Sequence, residues 1–366
     1  MRDTQLRQTV FHNWHLAHGG RMVEFGGWDM PVQYSTIVEE HNAVRNAAGL
    51  FDIAHMGRLE FEGSEACRFL DWILTNDVAA LQPGQVRYSL ITNEQGGVLD
   101  DVLVYRFDSR YMLVVNASNR ETIVDWVQQH LGGFDVQFHD RTLTHTMLAI
   151  QGPKASQVMA ALDCSAPDTL GYYTVQDSVV LDDPAIVSRT GYTGEDGFEI
   201  IVTNDVAGFL WHRIVEAGEP IGLQPCGLGC RDTLRLEAAM PLYGHELSTD
   251  IDPLTAGLGF AVKLKAADFI GRSVLRSIKS DGPQATRVGL ELEGRRIARE
   301  GAKIIESDST IGAITSGTFS PTLQKSIAMG YVKNSFAEIG TSVEVDIRGK
   351  RHPAIVTAMP FYRRVK

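Results

Sequence analysis

The chain has 366 residues, 44% of them apolar and 22% charged, with a formal net charge of −11. That length accommodates two or three packed domains with sizeable cores, and the acidic balance argues against a nucleic-acid backbone as the main ligand. Four cysteines (Cys67, Cys164, Cys226, Cys230) are too few for a disulfide framework, and Cys226 and Cys230 lack the second pair that a zinc site needs, so all four read as reduced core or turn residues.

The start, Met1 to Arg7, is not followed by an apolar run, so no secretory signal is expected, and no window approaches the length of a membrane span. These features point to a soluble, cytoplasmic protein, or to a mitochondrial-matrix one if a transit peptide has been removed. Gln5 to His18 reads as an amphipathic helix stopped by Gly19-Gly20. Arg21 to Phe25 reads as a short strand, and Gly26 to Tyr34 as a turn-rich aromatic segment. Thr36 to Ala48 is a second helix, in which His41 is a capping or packing residue before it is a catalytic one. Leu50 to Phe61 reads as one strand bearing His55, and Ser64 to Ile73 as a helix.

Two strand-like runs, Val86 to Thr92 and Val98 to Tyr105, flank Asn93-Glu94-Gln95-Gly96-Gly97, a hairpin signal. Asp100 and Asp101 interrupt the second run. Acids oppose strand propensity, and alternation puts these two on opposite faces. One of them therefore points inward and needs a partner or a shifted pKa. Arg110 to Val115 and His145 to Ile150 read as further strands, and Arg120 to Leu131, Lys154 to Leu162 and Val206 to Gly218 as helices. Strand–helix units mixed with antiparallel hairpins indicate the α+β class. No Gly-x-Gly-x-x-Gly follows a strand, so nothing marks a dinucleotide site.

The densest signals fall between Ser188 and Glu237. In Gly191-Tyr192-Thr193-Gly194-Glu195-Asp196-Gly197, glycine recurs at every third position before Phe198-Glu199-Ile200-Ile201-Val202, which reads as a tight loop delivering a strand. Alternation sets Phe198 and Ile200 on one face and Glu199 on the other, where it is either a solvated edge residue or a carboxylate aimed into a cavity. Beyond Gly227-Leu228-Gly229, a helical run extends from Arg231 to Met240. Asp232 suits a helix start, and Arg231 and Arg235 share a face. That face is either a salt-bridged surface or the carrier of a cation opposite Glu199, the two together holding a polar planar ligand. Ile278 to Pro283 is the expected linker. Arg287 to Leu292, Ile311 to Ser316, Ser326 to Val332, Ser342 to Ile347 and Pro353 to Thr357 then suggest a small closed or sandwiched β domain.

Four long motifs carry a resemblance: Gly191 to Gly197, Gly227 to Glu237, Gly96-Gly97-Val98-Leu99-Asp100-Asp101, and Thr315-Ser316-Gly317-Thr318-Phe319-Ser320-Pro321. In this order they resemble the glycine cleavage T-protein family of aminomethyltransferases. His15 to Val23 and Met359-Pro360-Phe361 match as well, so the resemblance spans essentially the whole chain. It implies an α+β fold of ferredoxin-like folate-binding domains followed by a C-terminal β-barrel, in a cloverleaf arrangement. The implied folate-binding regions are 1–50 and 145–275, the Asp-Asp hairpin lies in a region 51–144, and the barrel occupies 284–366. The implied activity is a tetrahydrofolate-dependent transfer in glycine catabolism and one-carbon metabolism. The aminomethyl group on the lipoyl arm of the H protein would give 5,10-methylenetetrahydrofolate and ammonia. Tetrahydrofolate is the co-substrate, the lipoylated H protein the partner, and no metal, nucleic acid or membrane is expected.

By motif position, Asp101 matches the catalytic acid of that family, with Asp100 as its neighbour. Glu199 matches a pterin-binding glutamate whose two oxygens can accept from adjacent N–H donors. Arg231 matches a folate-contacting arginine, Tyr88 and Tyr192 match aromatic pocket residues, and Arg363 matches a further contact in the tail. Cys230 stands where alanine is common, Ala239 where glycine is common, and Phe260 where tryptophan is frequent. These size changes bear on the substrate more than on the fold. Two other readings share the scaffold. A tetrahydrofolate-dependent demethylase of a methylated small molecule would act without a lipoylated partner. A non-catalytic folate-binding protein of the iron–sulfur maintenance type would carry a Lys-Gly-Cys-Tyr signature, which Gly191-Tyr192-Thr193-Gly194 lacks.

Overall fold

The computed structural model of the chain describes residues 5–162, 164 and 169–364. The chain divides into two compact units, one of residues 1–70, 78–88 and 102–231, the other of residues 71–77, 89–101 and 232–366.

The first unit opens with α1 (His12–Ala17), β1 (Arg21–Phe25) and β2 (Trp28–Gln33). The helix expected over Gln5 to His18 is confined to α1, because Arg7 instead bridges to Trp28 as an extended segment. Helix α2 (Ile37–Asn46) starts at Thr36 with a capping box, in which the Thr36 side chain accepts from Glu39 N and the Glu39 carboxylate accepts from Thr36 N. The expected single strand from Leu50 to Phe61 is two, β3 (Ala48–Asp52) and β4 (Gly57–Glu62). The Asp52 carboxylate breaks it by accepting from Ala54 N at 2.8 Å, a local turn that competes with the ladder. Then follow α3 (Ala66–Ile73), β5 (Val86–Thr92), β6 (Val98–Arg106), β7 (Arg110–Val115), α4 (Arg120–His130), β8 (Gln137–Asp140), β9 (His145–Gln151) and α5 (Ala155–Ala160). The unit continues with β10 (Val175–Val180), β11 (Asp183–Ser188), β12 (Gly197–Thr203), α6 (Asn204–Gly218) and β13 (Leu223–Pro225). The strands form a six-stranded sheet in the order β10-β11-β12-β9-β3-β13 and a five-stranded sheet in the order β5-β6-β7-β4-β8. Residues 89–101, the outer ends of β5 and β6 and the loop joining them, belong to the second unit.

Glu199 lies on β12, which is paired on both sides and so is no edge strand. Phe198, Ile200 and Val202 alternate into a core with Leu210, Trp211 and Ile214 of α6, whose buried positions recur at helical spacing. The opposite face of β12 is thereby left for Glu199.

Helix α7 (Leu228–Glu237) begins earlier than the sequence suggests. Asp232 is therefore inside the helix, bonded to Arg235 one turn on, and does not start it. In the second unit α7 ends in a 6→1, 5→2 turn: Met240 N bonds Arg235 O and Ala239 N bonds Leu236 O, both at 2.9 Å. Ala239 occupies the left-handed region there, with φ 55°. Helix α8 (Arg272–Asp281) takes in most of the expected linker.

The remainder is β14 (Ala285–Leu292), β15 (Lys303–Glu306), β16 (Ser309–Ser320), β17 (Lys325–Lys333), β18 (Ser342–Ile347) and β19 (Lys350–Thr357), closed as β14-β17-β16-β15-β18-β19. The sequence reading finds five of these strands and misses β15, a four-residue strand with a register shift at Ile304/Ile305. Val288, Leu290, Ile304, Ile314, Val345 and Val356 fill the barrel.

Candidate functional site

The loop from β11 to β12 is shaped around one side chain. Gln151, on β9, donates from Nε2 to Thr190 O at 3.0 Å and accepts at Oε1 from Thr193 Oγ1 at 3.0 Å. A Cβ on Gly191 would stand 1.9 Å from Gln151 Oε1, and one on Gly197 would stand 2.5 Å from Gln151 Nε2. Gly194 takes φ +81° at the tip. The three-residue glycine spacing thus serves a close approach at two positions and a left-handed turn at the third. Arg45, from α2, fixes the tip by donating to Thr193 O and Glu195 Oε1, both at 2.8 Å.

This loop delivers Glu199, which is 7% exposed. Thr190 Oγ1 donates to Glu199 Oε2, and Tyr105 OH donates to the same oxygen at 3.5 Å. Burial raises the carboxyl's pKa above its ordinary value, against the opposing pull of Thr190, Arg231 and Tyr105. Tyr105 is fully buried; burial, and then the Glu199 charge, push its phenol well up. Arg231, at the first turn of α7, lays its guanidinium 4.7 Å from the centre of the Tyr192 ring. Burial lowers its pKa, and Tyr192 and Glu199 oppose that fall. A carboxylate, a cation and an aromatic face are therefore gathered within the first unit. The structure brings Glu199, Arg231 and Tyr192 together. Tyr88 is half-buried on β5 in the same unit.

Sequence reasoning missed Thr190, Ser188 and Tyr105. The first two were legible as hydroxyls on the approach to the glycine loop, but only the β11/β12 pairing of Ser188 with Glu199 shows what they face.

A second buried network lies beside α1. Asp52 accepts from Thr9 Oγ1 at 2.6 Å and contacts His15 Nε2 at 2.9 Å, and His15 Nδ1 accepts from Tyr34 OH at 2.7 Å. Burial, and then the Asp52 charge, raise the Tyr34 pKa. His55 is 1% exposed, and among the described residues its buried Nδ1 has no hydrogen-bond partner. Burial pulls its pKa down to about 3, Asp52 opposes this, and Arg231 and Arg58 reinforce it. The neighbouring Arg58 caps the carbonyls of Ala54 (3.0 Å), Met56 (2.6 Å), Thr142 (2.7 Å) and His145 (3.0 Å), and burial lowers its pKa to about 10.

All four cysteines are unbridged. Glu40 joins Cys226 and Cys230, the ligand atoms of the three lying within 4.8 Å of one another. The third donor comes from α2, which no local spacing reveals. These donors are already engaged. The Glu40 carboxylate accepts from Tyr34 N (2.6 Å), Ser35 N (3.0 Å) and Gly227 N (2.9 Å), and the Cys230 thiol donates to Gly227 O at 3.3 Å. Burial pushes that thiol's pKa well up, which disfavours the thiolate a metal needs.

In the second unit, Asp100 is fully buried and Asp101 half-buried, so the expected split of the pair across β6 is observed. The loop before them is tied by Asn93 Oδ1, which accepts from Gln95 N at 3.0 Å and Gly97 N at 2.9 Å. Tyr243 OH donates to Val98 O at 3.2 Å. Burial raises its pKa, with the charges of Asp100, Asp101 and Asp250 adding to the rise. Arg363 is exposed in the tail, after Tyr362 N donates to Glu237 O at 2.8 Å. Among the described residues no helix is long and apolar enough to cross a membrane.

Comparison with known proteins agrees across the whole chain. Residues 11–266 match the family described as the GCVT N-terminal domain, and residues 286–363 match the glycine cleavage T-protein C-terminal barrel domain. The chain is 48% identical to the aminomethyltransferase of Geobacillus sp. (strain WCH70) over 364 residues, 99% of this chain and 100% of that one. It is 44% identical to the aminomethyltransferase of Bacillus subtilis over 362 residues, 98% and 100% of the two chains. The crystal structure of glycine cleavage system aminomethyltransferase T from Bartonella henselae superposes with a TM-score of 0.93 at 34% identity, covering 99% of this chain and 100% of that chain.

Proposed function

The chain belongs to the glycine cleavage T-protein family, and from that premise we propose that it is the tetrahydrofolate-dependent aminomethyltransferase of the glycine cleavage system, taking its one-carbon unit from the lipoyl arm of the H protein. The carbon arrives bonded to nitrogen and to the lipoyl sulfur and leaves bonded to N5 and N10 of the folate. Both of its first bonds must break, so ammonia and the dihydrolipoyl thiol are the other products. Folate N5 attacks the methylene carbon as ammonia departs.

One observation carries this reading: a buried carboxylate, Glu199, stands in the field of the Arg231 guanidinium, which lies on the Tyr192 ring. An acceptor, a cation and an aromatic face suit a flat heterocycle with N–H donors on one edge. Glu199 takes the pterin N–H donors, Arg231 and Tyr192 flank the ring system, and Tyr88 and Arg363 add further contacts. Asp101 is the carboxylate that supports attack by N5, through the positive charge that develops on nitrogen and carbon, and Asp100 is its buried neighbour. The four unbridged cysteines suit a reducing cytoplasm.

Mixing the protein with tetrahydrofolate and aminomethylated H protein tests the proposal. Ammonia and 5,10-methylenetetrahydrofolate should appear together. One-carbon transfer from a methylated small molecule with no lipoylated partner would replace this reading by that of a demethylase. Asp101→Asn should lower turnover by roughly 10²-fold, and an unaltered turnover would remove Asp101 from the mechanism.

A further inference from the structure

Glu199 is held from one side only. Among the described residues, Thr190 Oγ1 and Tyr105 OH both donate to Oε2, and no donor reaches Oε1. Arg231 acts on the carboxylate through space, its guanidinium lying on Tyr192. Thr190 is 1% exposed, and its hydroxyl lies 2.7 Å from that of Ser188, itself 3% exposed. A hydroxyl has one proton to give. With Thr190 donating to the carboxylate, Ser188 must donate to Thr190, so the chain runs Ser188 to Thr190 to Glu199. The backbone of Thr190 is pinned as well, its carbonyl accepting from Gln151 Nε2.

We propose that Thr190, oriented by Ser188 and Gln151, is a positioning residue of the co-substrate site: it fixes Glu199 Oε2 and leaves Oε1 as the acceptor offered to the pterin N–H donors. This rests on the reading of Glu199 as that acceptor. It replaces a symmetric two-oxygen grip with one pinned and one presented oxygen.

A donor to the charged form of a buried acid favours ionisation. The groups facing Glu199 are Thr190 from the loop, Tyr105 from β6 and Arg231 from α7, with Tyr173 and Ser188 beyond Tyr105. Burial pushes the Tyr105 phenol well up, away from the acid range. Removing the Thr190 donor raises the Glu199 pKa further, so the loss of affinity grows as pH falls and shrinks as pH rises.

The experiment is equilibrium binding of tetrahydrofolate between about pH 5 and about pH 8, a window on the alkaline side of the ordinary glutamate pKa. Thr190→Val should weaken binding about tenfold at the acid end, the worth of one hydrogen bond to a charged group, and approach wild type at the alkaline end. Thr190→Ser should restore both affinity and pH profile, and Ser188→Ala should show a smaller loss with the same pH trend. Should Thr190→Val fold poorly, the Ser188→Ala and Thr190→Ser pair carries the same trend. Wild-type affinity in Thr190→Val at every pH, or a pH-independent loss that serine does not restore, overturns the proposal. Glu199→Gln separates the two levels. If it binds tetrahydrofolate like wild type, the reading of Glu199 itself falls. If it loses affinity and Thr190→Val does not, only the positioning role falls.

Discussion

Helix α7 carries two arginines one turn apart, and the glutamate associated with each stands in an opposite state. Arg235 is 2% exposed and Glu246 fully buried, and the two are paired at 2.8 Å. Glu246 also accepts from Thr315 Oγ1 at 2.6 Å and Leu242 N at 3.0 Å, while Arg235 donates to Asp232 and Ser316, each at 2.8 Å. Burial alone would raise the Glu246 pKa, but Arg235 and the surrounding donors outweigh it and hold the carboxyl below its ordinary value. Glu199 has the same chemistry and similar burial, but its donors reach one oxygen and its arginine lies on a ring. There burial wins and the pKa rises. The difference lies in how many donors converge on the carboxylate. A saturated buried ion pair is architecture, whereas an undersupplied one is a place where a ligand can complete the set.

Breaking the saturated pair gives the largest expected effect on stability. Arg235→Ala strands the Glu246 charge in the second unit and should cost about 3–5 kcal/mol in denaturant unfolding. A loss below about 1 kcal/mol, the range of an exposed pair, would show that Glu246 is not held as a buried ion. Glu199→Gln should go the other way. Removing an undersupplied buried charge should leave stability unchanged or raise it by up to about 1 kcal/mol, while tetrahydrofolate affinity falls. Destabilisation comparable to that of Arg235→Ala would erase the contrast between the two sites.

The two carboxylates also differ in sign with pH. Glu246 has a depressed folded pKa, so its stabilising contribution is present above the unfolded value of about 4.3 and is lost as pH falls through the folded pKa. Glu199 has a raised folded pKa, so the native state binds the extra proton and stability falls as pH rises from about 4.3 through the folded value. The stability advantage of Glu199→Gln over wild type should therefore widen with rising pH across that window. Glu246→Gln should instead flatten the loss of stability at acid pH. Unfolding curves across that acid window check both, and parallel curves for wild type and Glu199→Gln would show that Glu199 is not shifted.

The fold was readable where the pattern was strong, as in α6 with Trp211 and in the short barrel strands set off by turns, such as β14 and β17. It was misread where a single side chain diverts the backbone, as Asp52 does by capping Ala54 N and splitting one expected strand into two. Glu199 and Arg231 were legible because each follows a glycine-rich turn that opens a regular element. Their supporting hydroxyls were not, because Thr190 and Ser188 acquire a role only through the register of β11 against β12. The state of Glu246 was equally hidden. Its partners Arg235, Thr315 and Ser316 come from distant segments, and no local pattern distinguishes it from Glu199.

The smallest expected effect lies at the end of α7, where the Arg235 network meets a strained residue. Ala239 holds φ 55°, and Met240, the next residue, bonds back to Arg235 through both its amide and its carbonyl. A left-handed alanine costs about 1–2 kcal/mol relative to an unstrained one, which Ala239→Gly would relieve. Glycine, however, adds back about 0.4–1 kcal/mol of unfolded-chain entropy. It also deletes a methyl packed beside Leu236, Ile327 and Met329, a burial worth up to about 0.8 kcal/mol. The terms nearly cancel, so Ala239→Gly should change unfolding stability by less than about 0.5 kcal/mol. A stabilisation above about 1 kcal/mol would mean that the methyl contributes nothing and that the saturated half of α7 carries strain in full. A destabilisation of the same size would mean that the cap, held through Arg235, sits without strain.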